Sequence, residues 1–183
     1  MSTTKNVFVS IVSTMMILLS SVAFASPQQV ELNETYSVEQ TKAAINSRFT
    51  DDVKFYVPMR QVEGPNDYTR MYITYNLDEW VMAVFQNEPG YVCGLSMTVP
   101  DSTNSMALEH IATTLLLTAV GADSENYTWD SEEIRQLCRA RDNAKEYGRG
   151  FFYCHDTQRY YRLVTKHDRV RSHWYFEVKA YVD

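Results

Sequence analysis

The stretch from Tyr91 to Val120 constrains the fold more than any other, because a strand pattern passes within a few residues into the most apolar helical pattern of the chain. Tyr91, Cys93, Leu95, Met97 and Val99 alternate with Val92, Gly94, Ser96 and Thr98, the period of two that turns one row of side chains toward a core. Leu108, Ile111, Ala112, Leu115 and Ala119 recur at spacings of three and four, which predicts a helix over 104–120 that Gly121 stops. Both apolar faces gain by leaving water, and their closeness in the chain makes each the expected cover of the other.

The elements around this pair read as follows. Ser37 and Gln40 have capping-box spacing and start a helix whose buried side is Val38, Thr41, Ile45 and Phe49. Asp51 to Gln61 reads as a strand that Pro58 confines to a sheet edge, and Glu63 to Asp67 as a turn. Tyr68 to Tyr75, Trp80 to Gln86 and Tyr91 to Val99 are joined by short turns and predict an antiparallel meander. A second helix runs from Asp130, with Glu133 at capping-box spacing, to Tyr147, with Ile134, Leu137, Cys138, Arg141 and Ala144 inward and Gly148 and Gly150 ending it. Phe151 to His155, Arg159 to Lys166 and His173 to Val182 are three further strands. In the last of them Trp174, Phe176, Val178, Ala180 and Val182 share one face, and Tyr175, Glu177, Lys179 and Tyr181 the other. Segregated runs of helices and strands predict an α+β fold, a mainly antiparallel sheet with helices packed on one face in two layers.

Residues 1–25 carry the parts of a secretory signal: Lys5, an apolar run from Val7 to Val22, and the small-x-small site Ala23-Phe24-Ala25. Cleavage there leaves a loose lead-in at Ser26 and one domain over 26–183, exported to the periplasm or the medium. No later stretch is long and apolar enough to span a bilayer. Loss of Lys5 takes the net charge from -6 to -7, which argues against nucleic acid as a partner. The charge is unevenly spread. Residues 26–133 hold 5 Lys and Arg against 17 Asp and Glu, whereas residues 134–183 hold 11 against 6, and the two halves are expected to attract each other within the fold.

Three cysteines in an exported chain predict one disulfide. Cys138 lies about 13 Å from the end of its helix and Cys154 about 13 Å along the strand after Gly150, so a strand turning back under the helix pairs Cys138 with Cys154. Cys93, in the core row, reads as a buried apolar residue. His110, His155, His167 and His173 show no HExxH or other close ligand spacing, and the neighbours Cys154, His155 and Asp156 point to alternate strand faces, so no metal and no cofactor are expected. Gly-x-Ser-x-Gly and phosphate-binding glycine loops are absent from the sequence, and no residue is singled out as catalytic.

The suggestive features are surfaces. Tyr72, Tyr175 and Tyr181 are expected to share an aromatic platform on the open sheet face, and Met106 and Leu117, with His110 and Thr113, to leave an apolar strip on the main helix. The strip also offers a homodimer contact. The reading is an exported, non-enzymatic module that binds another protein, an inhibitor or an immunity protein, with a basic partner favoured by the chain's acidity. The alternatives are a hydrolase with carboxylate and histidine chemistry, and a carrier of a small apolar ligand.

Overall fold

The computed structural model describes residues 27–33, 36–64, 69–122 and 131–182. The expected leader, the Pro65 to Asp67 part of the expected turn and the Asp130 cap lie outside the described residues. Eight strands are present among them: β1 (Gln28–Val30), β2 (Arg60–Val62), β3 (Thr69–Tyr75), β4 (Val81–Asn87), β5 (Val92–Pro100), β6 (Arg149–Cys154), β7 (Arg159–Asp168) and β8 (His173–Val182). They form one antiparallel sheet in the order β2-β3-β4-β5-β8-β7-β6, with β1 also paired to β8. The helices are α1 (Val38–Asn46), α2 (Ser105–Ala119) and α3 (Ser131–Tyr147).

The helices cover one sheet face, giving the two-layer α+β fold. The row Val84, Leu95, Val178 and Leu163 crosses four neighbouring strands by direct pairing. All four are buried in one cluster with Ile45 of α1, Ile111 and Leu115 of α2, and Leu137 and Ala144 of α3. Helix α2 packs over β5, β8 and β7 with α1 and α3 on its flanks. Leu116 and Thr118 are buried as well, so its core stripe is wider than the predicted one. The α1 capping box forms as its spacing predicts: Gln40 N–H donates to Ser37 Oγ and Ser37 N–H to Gln40 Oε1. The meander β3-β4-β5 forms too.

Four local expectations give way. Asp51 to Gln61 is not a strand: Asp51–Val53 is a 3-10 turn and only Arg60–Val62 joins the sheet, at its edge. Side chains take the backbone groups that a ladder would have used. Asn46 bonds both the N–H and the C=O of Phe55, while Lys42 and Thr74 donate to the Val57 carbonyl. The lead-in is not loose either. Gln28 to Val30 pairs with Val182 to Ala180, just past the point where β5 leaves β8, and Asn33 donates to the Thr118 and Ala119 carbonyls at the end of α2.

The third departure is a β-bulge. Phe85 faces Gly94 but Gln86 faces Val92, so Cys93 is the extra residue and the alternation reverses there. Val92, not Cys93, joins the core cluster, and the buried Cys93 thiol sits 3.5 Å from the Phe85 carbonyl. Burial raises its pKa.

The fourth concerns α3 and β6. The inward residues are Leu137, Ala140 and Ala144, with Ile134 exposed. Gly148 ends the helix at φ +78°, but Gly150 serves contact: a Cβ there would lie 1.8 Å from the Ala140 carbonyl oxygen. Helix and strand backbones therefore touch. Strand β6 begins directly after Gly148, which carries Cys154 roughly 7 Å further than a start after Gly150 would. The expected Cys138–Cys154 disulfide is absent, and all three cysteines are unbridged, Cys138 half-buried on α3 and Cys154 buried at the end of β6.

Gly150→Ala is expected to lower stability by about 3 kcal/mol, since neither backbone can retreat without opening the core, and urea denaturation measures it. A second expectation rests on Tyr161, fully buried, whose hydroxyl donates to the Leu32 carbonyl at 2.7 Å. Burial raises its pKa from 10.0 to about 12. The folded state thus holds this proton more tightly than the unfolded chain, so the contribution is complete below pH 10.0 and is lost as pH rises toward about 12. The loss is worth roughly 3 kcal/mol. Urea midpoints should fall across that window, and less steeply in Tyr161→Phe.

Candidate functional site

The sheet face away from the helices is the surface on which unengaged chemistry collects. Pairing of β6, β7 and β8 lays side chains on it in rows: Arg149, Val164 and Glu177; Phe151, Arg162 and Lys179; Tyr153, Tyr160 and Tyr181. Lys166, Tyr175 and Thr98 form another row toward β5. These residues share the face because the partners stand directly opposite across antiparallel strands.

Rings and cations interleave there. Tyr153 and Tyr160 have centroids 4.7 Å apart, and the Arg162 guanidinium lies 5.0 Å over the Tyr181 ring, a cation–π contact. Arg162 Nε is buried, and among the described residues no acceptor pairs with it. Tyr175 donates to Glu177 at 2.7 Å, and Lys179 stands 3.2 Å from the same carboxylate. Burial, then the Glu177 bond and charge, hold the Tyr175 phenol well above its usual pKa. It is therefore a neutral donor across the physiological range. Beside this network runs an open groove of about 1030 Å³, floored by β6, β7 and β8 and flanked by Tyr147 at the end of α3. Its cations are Arg149, Arg162, Lys166 and Arg171, against the carboxylates of Asp168 and Glu177. Phe151 and Tyr147 are both more than half exposed beside them.

A second open groove lies between the 3-10 turn, the β3–β4 turn and the start of α2. Asp52, Asp78, Glu79 and Glu109 line it against Arg48 and Arg141, with fully exposed Leu77 and Met106 at 80% exposure. The uneven charge of the sequence thus survives as two surfaces of opposite sign. Part of it is used internally, as in the pairs Arg159–Glu31 at 2.9 Å and Lys145–Glu109 at 2.6 Å.

The predicted surface residues fall in different places. Tyr175 and Tyr181 are on the open face. Tyr72 pairs with Val84, packs against the core on the helix side and donates to Gln86, so it is no part of that platform. The apolar strip on α2 does not form: Leu117 is half-buried against the core, Thr113 bonds the Glu109 carbonyl, and His110 stands 2.8 Å from the Arg48 carbonyl with its ring edge-on to Phe49. That removes the basis for a homodimer through this helix. The cations Arg149, Arg162, Lys166 and Arg171 were not singled out by sequence reasoning, although the basic excess of residues 134–183 was their signal.

Imidazole and carboxylate meet at close range where His167 Nε2 lies 2.7 Å from Asp101 and the ring stacks on Trp174 at 4.4 Å. Neither His167 nor Asp101 lines either groove. Among the described residues no three His, Cys, Asp or Glu side chains converge as metal ligands, and no helix is long and apolar enough to cross a membrane. Comparison with known protein families, with characterised proteins and with solved structures finds no match to this chain.

Proposed function

We propose that this chain is an exported, non-enzymatic module that binds another protein through its open sheet face, acting as an inhibitor or an immunity protein. The observation that carries this is the groove in which Tyr147, Phe151 and Tyr175 stand among Arg149, Arg162 and Lys166. Aromatic rings and arginines dominate the energetics of protein interfaces, the rings because they remove much surface from water while ordering only two torsions, the arginines because their planar fork binds carboxylates at two points. The floor is hydrogen-bonded sheet, so little is lost in fixing it. Charge at contact acts over roughly a Debye length, about 8 Å in physiological salt, so the local cations outweigh the acidity of the whole chain. The partner surface is therefore acidic, the reverse of the expectation drawn from net charge. Export rests on the leader pattern of residues 1–25, and cleavage after Ala25 leaves β1 whole.

Two outcomes test this. N-terminal sequencing of the mature protein should begin at Ser26-Pro27, and retention of Lys5 in a membrane fraction would overturn export. Capture from envelope and secreted fractions of the source cells should yield one stoichiometric partner with an acidic surface. Tyr175→Ala combined with Tyr181→Ala should weaken that complex by at least about tenfold in Kd, as loss of interface anchors does. An unchanged Kd would remove the open face from the interaction.

A further inference from the structure

The outer edge of β6 borders the proposed binding face and deepens that reading, on which it rests. Thr165 N–H donates to the Gly148 carbonyl at 3.0 Å, which makes Gly148 and Thr165 a hydrogen-bonded pair. The β6–β7 register then continues without a break from Arg149 opposite Val164 to Cys154 opposite Arg159. Hydrogen-bonded and non-bonded pairs alternate along an antiparallel ladder, so Gly150, Phe152 and Cys154 spend their backbone groups on β7. The N–H and C=O of Arg149, Phe151 and Tyr153 point the other way, off the sheet. Among the described residues no hydrogen bond takes them up.

An open edge of this kind is a template for another strand, and proteins usually blunt it. The opposite edge of this sheet is blunted. Strand β2 has three residues and follows Pro58 closely, so it offers little to pair with. Strand β6 has six residues and no proline, and its Phe151 is 57% exposed.

We propose that β6 receives an extended acidic segment of the partner protein as an added antiparallel or parallel strand. Strand addition draws affinity from main-chain hydrogen bonds and specificity from alternate side chains. The residues of the added strand that face Arg149, Phe151 and Tyr153 share the open face with them, and on that face the nearest charges are Arg149 and, one strand further in, Arg162 with Lys166 beyond it. Carboxylates at alternate positions complement those cations. A second copy of this chain, pairing β6 with β6, would instead bring the same cations together, which like-charge repulsion disfavours. A nucleic acid strand would satisfy the cations but not the backbone edge.

The probe is a blocked peptide of about ten residues alternating Glu and Val, long enough to cover β6, with a Lys and Val peptide as control. The expected result is binding of the Glu peptide alone, with hydrogen exchange at the Arg149, Phe151 and Tyr153 amides slowed by at least about tenfold and other open-face residues unprotected. Combining Arg149→Glu with Lys166→Glu, both exposed, should weaken the Glu peptide by at least about tenfold and admit the Lys peptide, at an unchanged thermal midpoint. Binding of the Glu peptide without protection at those amides would overturn strand addition while leaving the open face as a protein-binding surface. Binding of neither peptide would overturn the edge as a receptor, and the Tyr175 and Tyr181 variants still decide the broader reading. A single-stranded oligonucleotide of equal charge that displaced the peptide at equal concentration would overturn the commitment to a polypeptide.

Discussion

Everything in this fold depends on β8 lying between β5 and β7. Without it the β2–β5 meander and the β6–β7 hairpin are two small sheets with edges at β5 and β7 and no common core. With it, Leu95 meets Val178, Val178 meets Leu163, and one continuous apolar row spans both halves beneath α2. The same strand takes β1 on the side that β5 vacates, so Ala180 stands between Val30 and Tyr161. These pairings join residues far apart in sequence, and their loop-closure cost must be met before their burial is gained. Assembly of the sheet is therefore expected to be late and cooperative, around a strand that lies close to the end of the sequence.

The elements that could be read from sequence are those whose causes are local. Ser37 and Gln40 form their box because both partners lie within one turn of helix. Asn76 organises the β3–β4 turn through bonds with Asp78, Trp80 and Val53, and its residue type already marked a turn. The alternation of β8 is unbroken from Trp174 to Val182, so its faces followed from parity alone. The failures have non-local causes. Nothing near Cys93 announces that Gln86 will pair with Val92, and one extra residue is enough to reverse a face. Residues 54–59 look like a strand but are held by Asn46, Lys42 and Thr74. Gly150 resembles a helix stop until Ala140 is known to touch it, and the misplaced start of β6 then carried Cys154 past Cys138.

The same division applies to the candidate site. Tyr175 and Tyr181 share a face because two-residue periodicity within one strand needs no further knowledge. Tyr72 lies on a different strand, and its face depends on the register β3-β4-β5-β8, which no local pattern contains. Arg149, Arg162 and Lys166 were visible as a basic bias in the last third of the chain. Their convergence follows from the strand order β8-β7-β6, which stacks consecutive basic strands side by side instead of interleaving them with the acidic ones.

That stacking has an energetic consequence. Like charges gathered on one face repel, and a chain selected only for stability would disperse or pair them. Pairing is used here: Arg159 meets Glu31 and Lys145 meets Glu109 across the boundary between the two halves. On the open face it stops short. Arg162 lies over Tyr181 with a buried Nε that no acceptor among the described residues reaches, and buried donors of that kind are uncommon in folded proteins because each costs about 1–3 kcal/mol. Phe151 stands exposed beside it on the edge strand, where burial would be favourable. Exposed ring and open backbone edge coincide on β6, and a single acidic strand laid against it would cover the ring, pair the edge and bring carboxylates beside Arg149.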